Sequence, residues 1–263
     1  MRIKGIIFDF AGTTIDYGCF SPVEAFIGAF NSVGIDITIE EAREPMGMLK
    51  INHARAIFEM DRVKDLFEEK YKRDYTNLDL YEVYEEFENI LFKTLKDFGV
   101  INPYVIEEIN NLRINGIKIG STTGYTRKML DEILPVAKRN GYSPDFTITS
   151  DEVENGRPHK DMIVKNAEFF NIKKMNLLVK VGDTIVDILE AKSAGCHSVA
   201  IVLGSSELGL TYDEVKNMDK KDLDEKIKLT RKKFIKAGAD YVIDDMRGLI
   251  GVINKINDKG GIL

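Results

Sequence analysis

The sequence predicts an α/β fold, a doubly wound parallel sheet of Rossmann-like type that carries an inserted α-helical cap. Three observations predict it. Six short apolar or β-branched runs, "GIIFDF", "IKIGSTT", "DFTIT", "LLVKVGD", "SVAIVL" and "DYVID", have the composition of buried parallel strands. Helix-patterned segments at 126–140, 158–170 and 184–194 lie between the later runs, the alternation that covers both faces of a sheet. A long stretch, about 18–100, separates the first run from the second and is helical in pattern, with no convincing strand.

The first run ends at Asp9, and a Gly-Thr-Thr turn follows. A carboxylate at the tip of an apolar strand, backed by free backbone N–H groups, suits a nucleophile or a metal ligand facing a phosphoryl group. The helical stretch comes next, with "YEVYEEFENILFKTLKDF" as its clearest amphipathic part. Inserted straight after the first strand, it hangs over the carboxyl edge of the sheet, where such folds bind ligands, and is placed to exclude water. The expected division is a catalytic core of residues 1–17 and 100–263 and a helical cap of residues 18–99. Beyond the insertion, "IGSTTGYT" ends a strand in hydroxyls, and "NGRPHKD" sets Arg157 before a proline at a helix start. "VKVGDTIVD" places Asp183 just past a strand and Asp187 on the following helix. The segment 207–237 is charged and reads as a solvated helical face.

Composition narrows the function. With 263 residues, 44% hydrophobic and 30% charged, the chain can bury a sizeable core. A formal charge of −6 argues against nucleic acid as the main partner, which calls for a clustered basic face. Two cysteines, Cys19 and Cys196, lie far apart without metal-type spacing, as in a reduced interior. No secretory or membrane-spanning run is evident, so a cytoplasmic protein is expected.

Each motif alone has a plain reading: Asp9 or Asp183 as a helix cap, the hydroxyls as N-caps, Arg157 as a surface charge. In this order and spacing the set resembles the haloacid dehalogenase superfamily. In that superfamily an Asp at the first strand end attacks phosphorus, and a Thr or Ser, a Lys or Arg and a GD-type acidic motif follow. Most phosphatase members carry a second Asp two residues after the first, to protonate the leaving alkoxide. Here that position is Ala11. A leaving group that departs as carbon has no such oxygen and needs an electron sink instead. Lys50 is the candidate, set among Met46, Met48, Leu49 and Ile51, with His53 on the same helical face. Its plain reading is a surface lysine with its stem on apolar neighbours. Holding its amine neutral at pH 7 costs about 4.6 kcal/mol, so burial or nearby positive charge must lower its pKa.

"FDFAGTTIDYGCFSP", "PMGMLKINHARA", "KIGSTTGYTR", "GRP", "KVGDT" and "LGSSELGLT" together resemble the phosphonoacetaldehyde hydrolase (phosphonatase) family, nearly end to end. The resemblance implies hydrolysis of the carbon–phosphorus bond of phosphonoacetaldehyde to acetaldehyde and phosphate, within 2-aminoethylphosphonate degradation. It implies catalysis by Lys50 through a Schiff base and by Asp9 through an aspartyl phosphate. It further implies Mg²⁺ held by Asp9, the Ala11 carbonyl, Asp183 and Asp187, and phosphoryl oxygens held by Thr123, Gly124 and Arg157. Tyr125, His53, Met46 and Cys19 would surround the site, and the chain would form a homodimer. Whether Thr122 or Thr123 faces the phosphoryl group, and whether Lys50 or His53 serves as base, stays open at this level. A Mg²⁺ phosphomonoesterase, an aldolase-type lyase and a non-catalytic phosphate-binding module are the alternatives.

Overall fold

The structure is a computed structural model that describes residues 2–259. Six strands, β1 (Gly5–Phe8), β2 (Lys118–Thr123), β3 (Phe146–Thr149), β4 (Leu178–Gly182), β5 (His197–Ile201) and β6 (Tyr241–Ile243), form one parallel sheet in the order β3-β2-β1-β4-β5-β6. The chain winds from β1 outward through β2 to β3, then returns to β4 on the other side of β1 and winds outward to β6. Phe8 therefore pairs with Ser121 on one side and Val181 on the other. The switch in winding direction brings the carboxyl ends of β2, β1 and β4 side by side, the place where open α/β sheets open a crevice.

Each expected strand is present. The expected helix at 126–140 runs Arg127–Arg139, its first turn capped by the Thr126 hydroxyl, which accepts from the Met129 amide at 3.4 Å. The helix expected over 158–170 begins only at Asp161, because residues 156–159 close their own turn through His159 N–H to the Gly156 carbonyl at 3.1 Å. The helix Ile185–Ala194 starts in a capping box of Thr184 and Asp187. The charged segment divides into Tyr212–Asn217 and Lys220–Lys236, the latter burying only Thr230 and Phe234.

Between β1 and β2 the chain forms the helices Phe20–Ser32, Ile39–Arg43, Lys50–Phe58, Asp61–Tyr71 and Asn77–Thr94. Aromatic side chains hold them together. Phe26 stacks on Phe87 with centroids 4.0 Å apart, Phe30 meets Phe58 at 4.7 Å, and Phe58 stacks on Tyr75 at 4.7 Å. Each such ring, once buried, contributes about 1.5–3 kcal/mol by leaving water. The apolar cluster is continuous from Ile6, Phe8 and Val181 of the sheet into Phe26, Phe58 and Phe87, so the inserted helices sit on the carboxyl edge. Among the described residues no helix is long and apolar enough to cross a membrane.

Candidate active site

Asp9 follows β1, Thr123 ends β2 and Asp183 follows β4, so the sheet order alone sets these three at one edge. Carboxylate oxygens of Asp9, Asp183 and Asp187 lie within 4.8 Å of one another, all buried. Gly12 makes this approach possible. Its φ is +86°, and a Cβ there would stand 2.2 Å from Asp183 Oδ2. Asp183 is fixed by the Thr13 hydroxyl, which donates to Oδ1 at 2.9 Å, and by the Ser206 amide, which donates to Oδ2 at 2.9 Å. Asp187 accepts from the Thr184 hydroxyl at 2.6 Å and amide at 3.1 Å.

Beneath these acids runs a buried ion network. Arg157 meets Asp9 Oδ1 at 2.7 Å, Asp187 Oδ1 at 3.1 Å and Glu190 Oε2 at 2.9 Å. Lys180 meets Asp187 at 2.8 Å and Glu190 at 3.5 Å. Both cations donate to the Thr122 hydroxyl, Arg157 at 2.6 Å and Lys180 at 2.9 Å. Burial opposes the Asp187 charge, yet Arg157 and Lys180 outweigh it and hold the carboxyl at about 2. Asp9 goes the other way, its pKa raised by burial more than Arg157 lowers it. Asp183 is raised further, by burial and by the neighbouring Asp9 and Asp187.

Those shifts measure an imbalance. Among the described residues Arg157 and Lys180 are the cations ion-paired to Asp9, Asp187 and Glu190, and with Asp183 beside them two negative charges of this cluster stay unpaired if all four acids ionise. Acids on an oxygen-only donor set with that excess fit a hard divalent cation, which takes carboxylate ligands and restores neutrality. Ala11 stands half-buried in the turn after Asp9, bridged to Ile15, and brings no acid of its own.

The inserted helices bring Lys50 and His53 to the same place, on one buried face of the helix Lys50–Phe58. Lys50 is 3% exposed, not a surface lysine. Its amine lies 3.8 Å from Met46 Sδ and 5.5 Å from the centroid of the Tyr125 ring. Burial lowers its pKa, against opposing pulls from Cys19 and Asp9, with Arg157 reinforcing the shift. His53 Nε2 meets the Ala42 carbonyl at 2.9 Å and its ring packs on Phe26 at 4.1 Å. Burial and the Lys50 charge push its pKa well down, so the ring is neutral, Nε2–H donates to Ala42, and Nδ1 keeps a free lone pair. Cys19 is buried in the left-handed region at φ 54°, its thiol pushed up by burial and by Asp16 and Asp183. Gly124 completes the junction. A Cβ there would meet the Met48 carbonyl at 2.5 Å and the Gly47 carbonyl at 2.8 Å, so only glycine lets the strand end and the inserted chain touch.

The structure thus brings together Asp9, Asp183, Asp187 and Arg157, and sets Lys50, His53, Met46, Tyr125 and Cys19 around a second centre beside them. The Thr122 side chain turns into the ion network, whereas Thr123 Oγ accepts from the Tyr125 amide at 3.1 Å. Asp16, the further acid of the N-terminal motif, points elsewhere. It caps the helix Phe20–Ser32, accepting from the Phe20 and Ser21 amides at 3.0 and 3.1 Å. Sequence reasoning missed Lys180 and Glu190. The signal was there for Lys180, a charge in the interior of an apolar strand, which is held only when paired.

A family model for haloacid dehalogenase-like hydrolases matches residues 3–195. The chain is 51% identical over 258 residues to the bifunctional phosphonoacetaldehyde hydrolase/aminoethylphosphonate transaminase of Clostridioides difficile, covering 98% of this chain and 41% of that protein. It is 48% identical to the phosphonoacetaldehyde hydrolase of Bacillus cytotoxicus, with 100% of both chains covered. The crystal structure of a phosphonoacetaldehyde hydrolase-like protein from Oleispira antarctica superposes with a TM-score of 0.96 at 32% identity, over 98% of this chain and 94% of that one. The fold extends to more distant structures, such as a β-phosphoglucomutase from Clostridium difficile at 19% identity and TM-score 0.68, covering 98% of this chain and 99% of that one. On the matched segments and the near full-length identity, the chain belongs to the phosphonoacetaldehyde hydrolase family of the haloacid dehalogenase-like hydrolases.

Proposed function

We propose that this protein hydrolyses the carbon–phosphorus bond of phosphonoacetaldehyde, giving acetaldehyde and phosphate. The observation that carries the reading is the pairing of a buried, pKa-lowered Lys50 with an Asp9 whose partner acid is replaced by Ala11. Neutral His53, one turn along the helix with Nδ1 unengaged, takes a proton from the Lys50 ammonium. The freed amine adds to the substrate aldehyde, and loss of water leaves a protonated Schiff base on Lys50. Asp9 attacks phosphorus, the carbon–phosphorus bond breaks, and its electron pair moves into the iminium to form an enamine. No oxygen leaves, so no acid is needed at position 11. Protonation of the enamine carbon and hydrolysis of the imine release acetaldehyde, and water releases phosphate from Asp9.

Arg157, Thr123 and the Gly124 backbone hold the phosphoryl oxygens, Thr123 rather than Thr122 because the Thr122 hydroxyl is engaged by Arg157 and Lys180. Tyr125, Met46 and Cys19 shield the Lys50 amine from water. Asp9, Asp183, Asp187 and the Ala11 carbonyl would hold Mg²⁺, which when bound offsets phosphonate charge. Residues 18–99 act as a cap over a core of 1–17 and 100–263. The substrate arises by transamination of 2-aminoethylphosphonate, a reaction matching the second activity named for the Clostridioides protein. The setting is cytoplasmic and the assembly a homodimer, which light scattering on the purified protein tests.

The experiment is acetaldehyde release from phosphonoacetaldehyde, read by coupled NADH-dependent alcohol dehydrogenase, with Mg²⁺ and with chelator. Metal-dependent acetaldehyde matched by equal phosphate is expected. Turnover of phosphate esters without acetaldehyde would overturn the reading.

A further inference from the structure

The inserted helices and the sheet meet at a turn under unusual backbone constraint. Asp16, Gly18 and Cys19 all lie in the left-handed region, at φ 52°, 86° and 54°. Such residues persist only where surrounding contacts over-determine them. One side chain supplies those contacts from the inserted side. Arg43, at the end of the helix Ile39–Arg43, directs Nη1 to the Gly18 carbonyl at 2.7 Å and to the Ser206 carbonyl and hydroxyl, each at 3.2 Å. Its guanidinium lies 4.7 Å above the Phe20 ring, and the Gly18 amide in turn donates to the Gly204 carbonyl at 2.7 Å.

Ser206 is also the residue whose amide donates to Asp183. Ala42, next to Arg43, supplies the carbonyl that fixes His53. A single guanidinium therefore ties the inserted helices, the turn into them and the loop beneath Asp183. We propose that Arg43 is a positioning residue for the reaction, seating the inserted helices on the sheet edge so that Lys50 and His53 face Asp9 and Asp183. This rests on the proposed function, since it names what holds the two halves of that site in register.

The two cysteines make the test independent of activity. Cys19 is buried in the left-handed turn that Arg43 holds, and charges of both parts act on its thiol, Asp16 and Asp183 of the core and Lys50 and Arg43 of the inserted helices. Cys196 is buried in a separate cluster with Ile7, Leu178 and Ala194. Iodoacetamide labelling of the native protein, resolved by mass spectrometry, compares the two sites in Arg43→Met, Arg43→Lys and the natural sequence. Loss of hydrogen bonds from a charged donor predicts Cys19 labelling faster by about ten- to a hundredfold in Arg43→Met, with Cys196 unchanged. The kcat/KM for acetaldehyde release falls by a similar factor. Arg43→Lys, which keeps a cationic donor of similar reach, returns Cys19 toward slow labelling. An unchanged Cys19 rate in Arg43→Met, or equal acceleration at both cysteines, would overturn the proposal. Absence of acetaldehyde from the natural sequence would instead refute the proposed function and leave the labelling comparison standing.

Discussion

Lys180→Met removes one cation from the buried network and keeps a side chain of similar length. Lys180 is 1% exposed and sits 2.8 Å from Asp187 and 3.5 Å from Glu190. With Arg157 left as the one cation paired to Asp9, Asp187 and Glu190, the excess with all four acids ionised rises from two to three. Breaking a buried pair by deleting one partner costs about 3–5 kcal/mol, and solvent offers no screening at this depth. In urea that is a midpoint lowered by about 1–2 M, measured with chelator present. The double variant Lys180→Met with Glu190→Gln restores the balance and recovers about 1.5 kcal/mol or more, which a double-mutant cycle reads as coupling. The acid limb moves too. Asp187, held at about 2 against 3.8 when unfolded, contributes stability present above pH 3.8 and lost as pH falls toward 2. Without Lys180 the folded carboxyl rises toward 3.8, so this contribution shrinks and the loss below pH 3.8 is smaller. A cost below about 1 kcal/mol, or a double variant no more stable than the single, would refute the view that these charges balance one another.

Other expectations follow the chemistry. Asp9→Asn lowers phosphate and acetaldehyde release together by about three orders of magnitude or more, measured in the coupled assay. Ala11→Asp gives no gain on phosphonoacetaldehyde, and a clear increase in kcat would show that the missing acid matters. Lys50→Met raises the thermal midpoint at pH 7. Burial lowers the Lys50 pKa from 10.5, so its charge costs stability below the folded value, and the cost fades as pH rises toward 10.5. Calorimetry across that range should show the gain of Lys50→Met shrinking with pH.

The sheet was legible because each buried parallel strand is a short apolar run bounded by polar turns, and the acids at their ends announce the edge that matters. Strand order was not written locally, yet the winding rule places Asp9 beside Asp183 once six strands are granted. The Lys50 cluster was legible through the family resemblance, since its methionines and the His53 spacing alone fit a surface lysine with its stem on apolar neighbours. The helix start at Asp161 escaped because turn closure by Gly156 and His159 competes with helix nucleation. Glu190 and Arg43 escaped for another reason. A helical Glu or Arg has the composition of a solvated face, and only the folded chain shows that Glu190 is buried against Arg157 or that Arg43 reaches Ser206. Thr122 and Thr123 could not be told apart by spacing, since strand alternation sets one side chain inward but does not say which.

The central claim is that Lys50 forms a covalent bond to the substrate carbon. Borohydride reduction of the enzyme with phosphonoacetaldehyde, followed by peptide mapping, tests it directly. The account predicts a reduced adduct on Lys50, absent from Lys50→Arg and from samples without substrate. Loss of activity without an adduct, or an adduct on another lysine, would contradict it.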